Sequence, residues 1–211
     1  MYKINVLGLG PGNKNYILPV VMEKIRDSDV IIGGKRNVES VQDEIRSKEI
    51  LYIKSDLIGL TEYIRSNRHK KISVIVSGDT GFYSFLTFLK KHFSDEELLV
   101  IPGISSVQYM FARISDYWHD AYVGSIHGKE FDFIEKLREY GKLALLTDNK
   151  NTPQEIAGKL LENELSDTLV YVGENLSYED EKIFRYNARE LADLEYEFGM
   201  NVVVLKRQGE V

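Results

Sequence analysis

Apolar, β-branched runs alternate with helix-period segments along most of the chain. Strands are predicted over residues 3–7, 30–32, 50–53, 72–77 and 98–101. Amphipathic helices are predicted between them, over 18–25, 38–45, 57–66 and 81–92. In the last of these Phe82, Phe85, Leu86 and Leu89 recur at helical spacing. Such alternation with short connections implies right-handed crossovers and a mostly parallel sheet. A short helix over 105–113 closes this half. The polar and aromatic stretch Ser115-Asp116-Tyr117-Trp118-His119-Asp120 then breaks the pattern and reads as an inter-domain connection.

The second half opens with a strand over 121–126, followed by a helix over 131–140 and a strand over 143–146. A further helix is predicted over 153–163. Its start at Asn151-Thr152-Pro153 is a capping signal, because proline in a first turn lacks only an N–H that the helix does not use. Three runs follow at 168–172, 183–186 and 201–205. The last two leave no room for a full crossover helix, so antiparallel pairing is expected. The reading is an α/β protein of two domains, 1–114 with a mostly parallel sheet and 119–211 with a smaller mixed one.

A length of 211 residues accommodates two small domains with real cores. With 43% hydrophobic and 28% charged residues the composition is that of a soluble globular protein. No run approaches the roughly 18–20 apolar residues of a membrane span. The N-terminus is interrupted by glycine too soon for a signal peptide and reads as the first strand. The absence of cysteine removes disulfides, thiolate nucleophiles and thiolate-bound metals. His69, His92, His119 and His127 are scattered, so no metal site is expected. A net charge of −6 without a basic stripe argues against nucleic acid as a partner. It leaves room for a local basic pocket and an anionic small molecule. A cytoplasmic α/β enzyme is the expectation.

Polar or glycine-rich turns stand where strands end. Gly8-Leu9-Gly10-Pro11-Gly12 follows the first strand and invites a dinucleotide reading. That reading fails in three places. Asn13 stands where a third glycine is required, Pro11 deletes an N–H donor, and the second strand ends in Gly33-Gly34-Lys35-Arg36 without the acidic ribose partner. A tight turn is the better account.

Ser77-Gly78-Asp79-Thr80-Gly81-Phe82-Tyr83 occupies the end of a strongly apolar strand, the position at which open α/β sheets bind ligands. Asp79 or Thr80 there suits either a helix cap or a ligand contact. Pro102-Gly103-Ile104-Ser105-Ser106 repeats that context. Ser125-Ile126-His127-Gly128-Lys129, the loop 146–153 and Val172-Gly173-Glu174-Asn175-Leu176-Ser177 do so in the second half. Glu179-Asp180-Glu181-Lys182 reads as a solvated surface. No nucleophile–base pair or metal-ligand spacing stands out, so the chemistry is expected from a cofactor or the substrate.

Taken together, these segments resemble the tetrapyrrole (corrin/porphyrin) methylases, which use S-adenosylmethionine. The G-x-G-P-G and S-G-D-x-G-F-Y stretches are superfamily-wide. S-I-H-G-K, T-D-x-x-N-T-P and V-G-E-N-L are similar to the subgroup that methylates C5 of a precorrin or cobalt-precorrin in cobalamin biosynthesis. Lys129 departs from it, since arginine is usual there, and a bidentate carboxylate contact would become a point-charge one.

The resemblance implies two α/β domains with a cleft between them, usually in a homodimer. It implies cofactor contacts at Leu9, Gly78, Asp79, Phe82, Ser105 and Ser106, and in the second domain at Leu146, Thr147, Gly173 and Met200. The tetrapyrrole would meet Pro11, Lys35, Arg36, Tyr83, Arg113 and Lys129, the four cations among them facing its carboxylates, with His127 the candidate base. The chain length implies C5 methylation alone, with a separate C15-methyltransferase/decarboxylase as pathway neighbour. Two alternatives stand beside this reading: another methylase of the superfamily with a different substrate, and a non-catalytic nucleotide-binding module. An NAD-dependent oxidoreductase is weaker, for the loop reasons given.

Overall fold

A computed structural model describes residues 1–126 and 132–208, which divide into two compact units, Met1–Ser105 and Ser106–Val211. The first holds strands β1 (Ile4–Gly8), β2 (Val30–Gly33), β3 (Glu49–Tyr52), β4 (Ile72–Val76) and β5 (Leu98–Ile101). They form one sheet in the order β3-β2-β4-β1-β5, parallel throughout. Its helices are α1 (Pro19–Asp27), α2 (Lys35–Ser40), α3 (Leu57–Ser66) and the short α4 (Leu86–Leu89).

The two-residue period of the strands sorts their side chains onto two cores. Ile4, Val6, Val30, Ile32, Ile72 and Val74 pack with Leu60 and Ile64 of α3 on one face. Leu7, Ile31 and Ile75 pack with Val21 and Ile25 of α1 and Val38 of α2 on the other. A sheet covered on both faces accounts for the near-continuous apolar strands.

Two helices differ from the periodic pattern. Over 81–92 only Leu86–Leu89 is helical. Tyr83 takes a left-handed φ of 47°, and the Ser84 hydroxyl, bonded to the Thr80 carbonyl, also receives the Leu86 amide. Local side-chain bonds of this kind compete with helix. Over 38–45 the chain forms α2 and then a 3-10 turn at Gln42–Glu44, which still buries Val38, Val41 and Ile45.

The second unit contains α5 (Ser106–Arg113), β6 (Tyr122–Ser125), α6 (Phe133–Tyr140), β7 (Lys142–Leu146) and α7 (Pro153–Glu162). It continues with β8 (Leu169–Glu174), β9 (Lys182–Asn187), α8 (Ala188–Ala192) and β10 (Asn201–Lys206). The sheet order is β6-β7-β10-β8-β9. β6 and β7 are parallel, while β10 runs antiparallel to both its neighbours and β9 antiparallel to β8. Leu143, Leu145, Val170, Val172, Val203 and Leu205 pack against α6, α7 and α8.

The helix α5, expected to end the first half, packs against β7 and β10 of the second unit. The observed division therefore precedes this helix, whereas the expected one followed it. The reason lies in its apolar face: Val107, Met110 and Phe111 are all buried. The connection at 115–120 is likewise tied to the second sheet. Lys142 Nζ donates to Asp120 at 2.9 Å and to the Tyr117 carbonyl at 3.0 Å, and stands 3.8 Å from the Tyr117 ring centre. Lys206 Nζ donates to Asp116 at 2.6 Å. Among the described residues no helix is long and apolar enough to cross a membrane.

Candidate functional site

In the first unit every strand points the same way, so the turns after β1, β4, β5 and β2 share one edge of the sheet. Three glycines make the centre of that edge. A Cβ on Gly8 would stand 2.5 Å from the Gly103 amide nitrogen and 2.7 Å from the Gly78 carbonyl oxygen. One on Gly103 would overlap the Gly78 oxygen and the Gly8 backbone. Backbone packs on backbone here, and any side chain would hold the loops apart.

The turns are also stitched by polar bonds. Gly10 and Gly78 exchange amide bonds at 3.1 and 2.8 Å, and the Leu9 amide donates to the Val76 carbonyl at 2.9 Å. Those amides are used by a neighbouring loop rather than left open for a phosphate, which explains the failed dinucleotide fingerprint. Gly10 and Gly78 have φ of 80° and 65°, the left-handed region that glycine enters at little cost.

Asp79 caps no helix. One carboxylate oxygen accepts the Gly81 amide at 2.8 Å and the other the Gly103 amide at 3.2 Å, so it fastens the β4 turn to the β5 turn. A carboxylate has about four acceptor positions, and these bonds occupy two. Leu9, Pro11 and Ser105 are buried beside this edge, Phe82 is half-buried, and Tyr83 is exposed against it with the rings 4.8 Å apart. Lys35 and Arg36 begin α2 after β2, on the same edge and exposed, with Lys35 3.8 Å from Glu39.

The corresponding edge of the second unit is held by side chains. β6, β7 and β8 end there and β10 begins there. The Thr147 hydroxyl lies 2.8 Å from Asn201 Oδ1 and 2.9 Å from the Asn201 carbonyl oxygen. Asp148 Oδ1 accepts the Lys150 and Asn151 amides at 2.9 and 2.8 Å, and Asn151 Nδ2 donates to the Ile126 carbonyl at 3.0 Å. Thr152 caps α7 through the Glu155 amide, with Pro153 in the first turn as the sequence predicts. The T-D-x-x-N-T-P stretch is thus a local device that joins the ends of β6 and β7 and starts α7.

Gly173 is packed so tightly that a Cβ would stand 2.6 Å from Leu176 Cδ2 and closer still to Met110 Sδ. Leu146 and Thr147 are half-buried, whereas Met200 is 44% exposed. Ser106 opens α5 and is half-buried.

Arg113, expected among the substrate cations, donates to Glu181 at 2.6 Å. Glu181 is not part of a solvated run: its side chain is only 12% exposed. Burial pushes its carboxyl up, but the Ser177 amide, the Tyr109 hydroxyl and the Arg113 guanidinium together hold it below the ordinary range. His127 and Lys129 lie outside the described residues. Among the described residues no group of three or more His, Asp or Glu could hold a metal ion.

Asn151 stands in the T-D-x-x-N-T-P stretch that the sequence singles out. Sequence reasoning missed two other supports of this edge: Tyr196, whose hydroxyl donates to Glu174 at the end of β8, and Glu181, whose side chain is largely withdrawn from water. Sequence spacing does not reveal them, because Glu174 lies 22 residues from Tyr196 and Arg113 68 residues from Glu181.

A parallel α/β unit with glycine turns on its carboxyl edge, followed by a mixed α/β unit, places the protein among α/β folds that bind ligands at strand ends. Residues 3–192 match the Tetrapyrrole (Corrin/Porphyrin) Methylases, and the chain belongs to that family. The cobalt-precorrin-7 C(5)-methyltransferase of Salmonella typhimurium is 35% identical over 202 residues, covering 96% of this chain and 98% of that protein. The probable cobalt-precorrin-7 C(5)-methyltransferase of Methanocaldococcus jannaschii is 30% identical, over 99% of this chain and 100% of the relative. The precorrin-6Y methylase of Archaeoglobus fulgidus shares the fold at a TM-score of 0.75 and 24% identity, covering 98% of this chain and 99% of that one.

Proposed function

We propose that the protein transfers a methyl group from S-adenosylmethionine to C5 of a cobalt-precorrin in cobalamin biosynthesis. The observation that carries this reading is the match to two relatives named for C5 methylation along 98% and 100% of their lengths.

The residues present fit the cofactor. The turns after β1, β4 and β5 close backbone on backbone at Gly8 and Gly103, which gives the edge a fixed floor with no side chain between the loops. Asp79 keeps acceptor capacity for hydroxyl or ammonium donors. Met200 offers an exposed, polarisable thioether. When bound, S-adenosylmethionine supplies an activated methyl group on a sulfonium.

The work left to the chain is to bind, orient and exclude water, and alignment alone contributes on the order of 7–11 kcal/mol. On this reading Leu9, Gly78, Asp79, Phe82, Ser105 and Ser106 contact the cofactor, together with Leu146, Thr147, Gly173 and Met200. Pro11, Lys35, Arg36 and Tyr83 meet the tetrapyrrole. Arg113 acts through its ion pair with Glu181, as a support for the turn after β8. His127 remains the candidate base and Lys129 a candidate carboxylate contact. The family resemblance supports a cytoplasmic homodimer working beside a separate C15-methyltransferase/decarboxylase.

Thermal unfolding with S-adenosylhomocysteine, with NADH as control, tests the cofactor assignment. At a hundred times the dissociation constant the bound state is stabilised by about 2.7 kcal/mol, a rise of roughly 5–10 °C for a chain of this size. A rise with NADH alone would overturn the reading.

A further inference from the structure

Glu174, the last residue of β8, is 5% exposed and carries a carboxylate that reaches across the sheet edge. One oxygen accepts the Gly199 amide at 2.6 Å and the other the Tyr196 hydroxyl at 2.9 Å. The Tyr196 hydroxyl in turn receives Lys182 Nζ at 3.1 Å. A bond from an amide to a buried carboxylate is stronger than a neutral one.

These bonds hold a segment with little structure of its own. Residues 194–199 form neither helix nor strand before β10 begins. Gln154 Nε2 holds the Tyr196 carbonyl at 2.5 Å, and the Tyr196 and Phe198 rings pack on Phe184 with centres 5.6 and 5.5 Å away. At the far end the Asn175 amide donates to the Met200 carbonyl at 2.9 Å.

Gly199 stands between the aromatic anchor and Met200, and glycine loses the most conformational freedom on ordering. The carboxylate also fits closely there, since a Cβ on Gly199 would stand 3.2 Å from Glu174 Oε1. We propose that Glu174 is a positioning residue for methyl transfer: it fixes the Gly199–Met200 turn in the conformation that receives the adenosyl cofactor. The proposal rests on the functional reading above, in which Met200 contacts that cofactor.

The test compares Glu174→Ala, Glu174→Gln and Tyr196→Phe in the full-length protein. It measures S-adenosylhomocysteine affinity by calorimetry and hydrogen exchange at the Gly199 amide. Loss of a charge-assisted bond predicts a dissociation constant raised about tenfold in Glu174→Ala, with faster exchange at Gly199. Glu174→Gln keeps an oxygen for that amide and restores most of the affinity. A merely structural role would lower the unfolding midpoint while the folded protein bound as tightly as wild type, and that result overturns the proposal.

Tyr196→Phe keeps the ring in its cluster and removes one of the two bonds. It carries the test if Glu174→Ala does not fold: severalfold weaker binding supports the proposal and unchanged binding overturns it. A wild-type chain that fails to bind S-adenosylhomocysteine sinks the functional reading. The role in methyl transfer falls with that reading, and Gly199 exchange then decides only whether Glu174 holds this turn. Where the wild type binds and Glu174→Ala binds as tightly, the functional reading stands and the positioning proposal alone is overturned.

Discussion

The two units solve the same problem, a fixed set of turns at one edge of a sheet, by different means. In Met1–Ser105 the turns lie backbone against backbone, made possible by glycine at positions 8, 78 and 103 and fastened by Asp79. In Ser106–Val211 they are joined by side chains: Thr147 to Asn201, Asn151 to Ile126, and Glu174 to Gly199. Three parallel strand ends side by side leave no room for side chains between their turns. A mixed sheet brings strand starts and strand ends to one edge, and the wider gaps are spanned by polar groups. The first edge is therefore sensitive to added volume and the second to lost polar partners.

The largest expected effect comes from adding one carbon to the first edge. Gly103→Ala forces a Cβ onto the Gly78 oxygen and the Gly8 backbone, none of which is the end of a flexible side chain. Destabilisation of about 3 kcal/mol is expected, the upper end of overpacking costs, read from urea unfolding. A cost below about 1 kcal/mol would show that the loops yield and would break the contrast.

In the second unit acid should act through two carboxyls whose side chains are only 12% exposed, Asp116 and Glu181. Burial raises Asp116, yet the Lys206 ammonium, the Tyr117 amide and Lys142 hold its carboxyl below the ordinary range, and Glu181 is held down in the same sense. A carboxyl with a lowered folded-state pKa stabilises the protein above its unfolded value, near pH 4 for these groups. That contribution is lost as pH falls through the folded value. Stability should therefore decline below about pH 4, and Asp116→Asn should flatten the decline while lowering stability at neutral pH. An unchanged acid limb in the variant would remove Asp116 from the account.

The smallest effect is a gain. Gly158 lies inside α7 with nothing within 4 Å of an added Cβ. Gly158→Ala should stabilise by about 0.5–1 kcal/mol. The opposite signs of the two glycine-to-alanine changes sharpen the claim that contact, and not glycine as such, sets the cost at the first edge.

Much of this architecture is legible in the sequence. Among the described residues all ten strands fall on apolar runs, and the antiparallel pairing of β9 and of β10 with β8 follows from the short spacing before them. Local competition hid the rest. Of the periodic Phe82, Phe85, Leu86 and Leu89, only the last two stand in a helix, because Tyr83 and Ser84 turn the chain before it. The helix α5 follows the first unit's last strand in sequence, but its apolar face belongs to the second sheet.

At the edges the glycine turns announce themselves because each directly follows a strand. Glu174 is marked by the V-G-E-N-L stretch at a strand end, but its partners Tyr196 and Gly199 are not, since a contact spanning 25 residues leaves no local pattern. Glu181 lies in an otherwise exposed charged run, and its ion-pair partner Arg113 is 68 residues away.

The most direct test of the central claim is the position of the transferred carbon. The protein is incubated with S-adenosylmethionine carrying a 13C methyl group and with cobalt-precorrin-7, and the product is examined by NMR. The account predicts a single labelled methyl group, attached to C5. Label at any other carbon, or a substrate recovered without label from protein that binds S-adenosylhomocysteine, would contradict it.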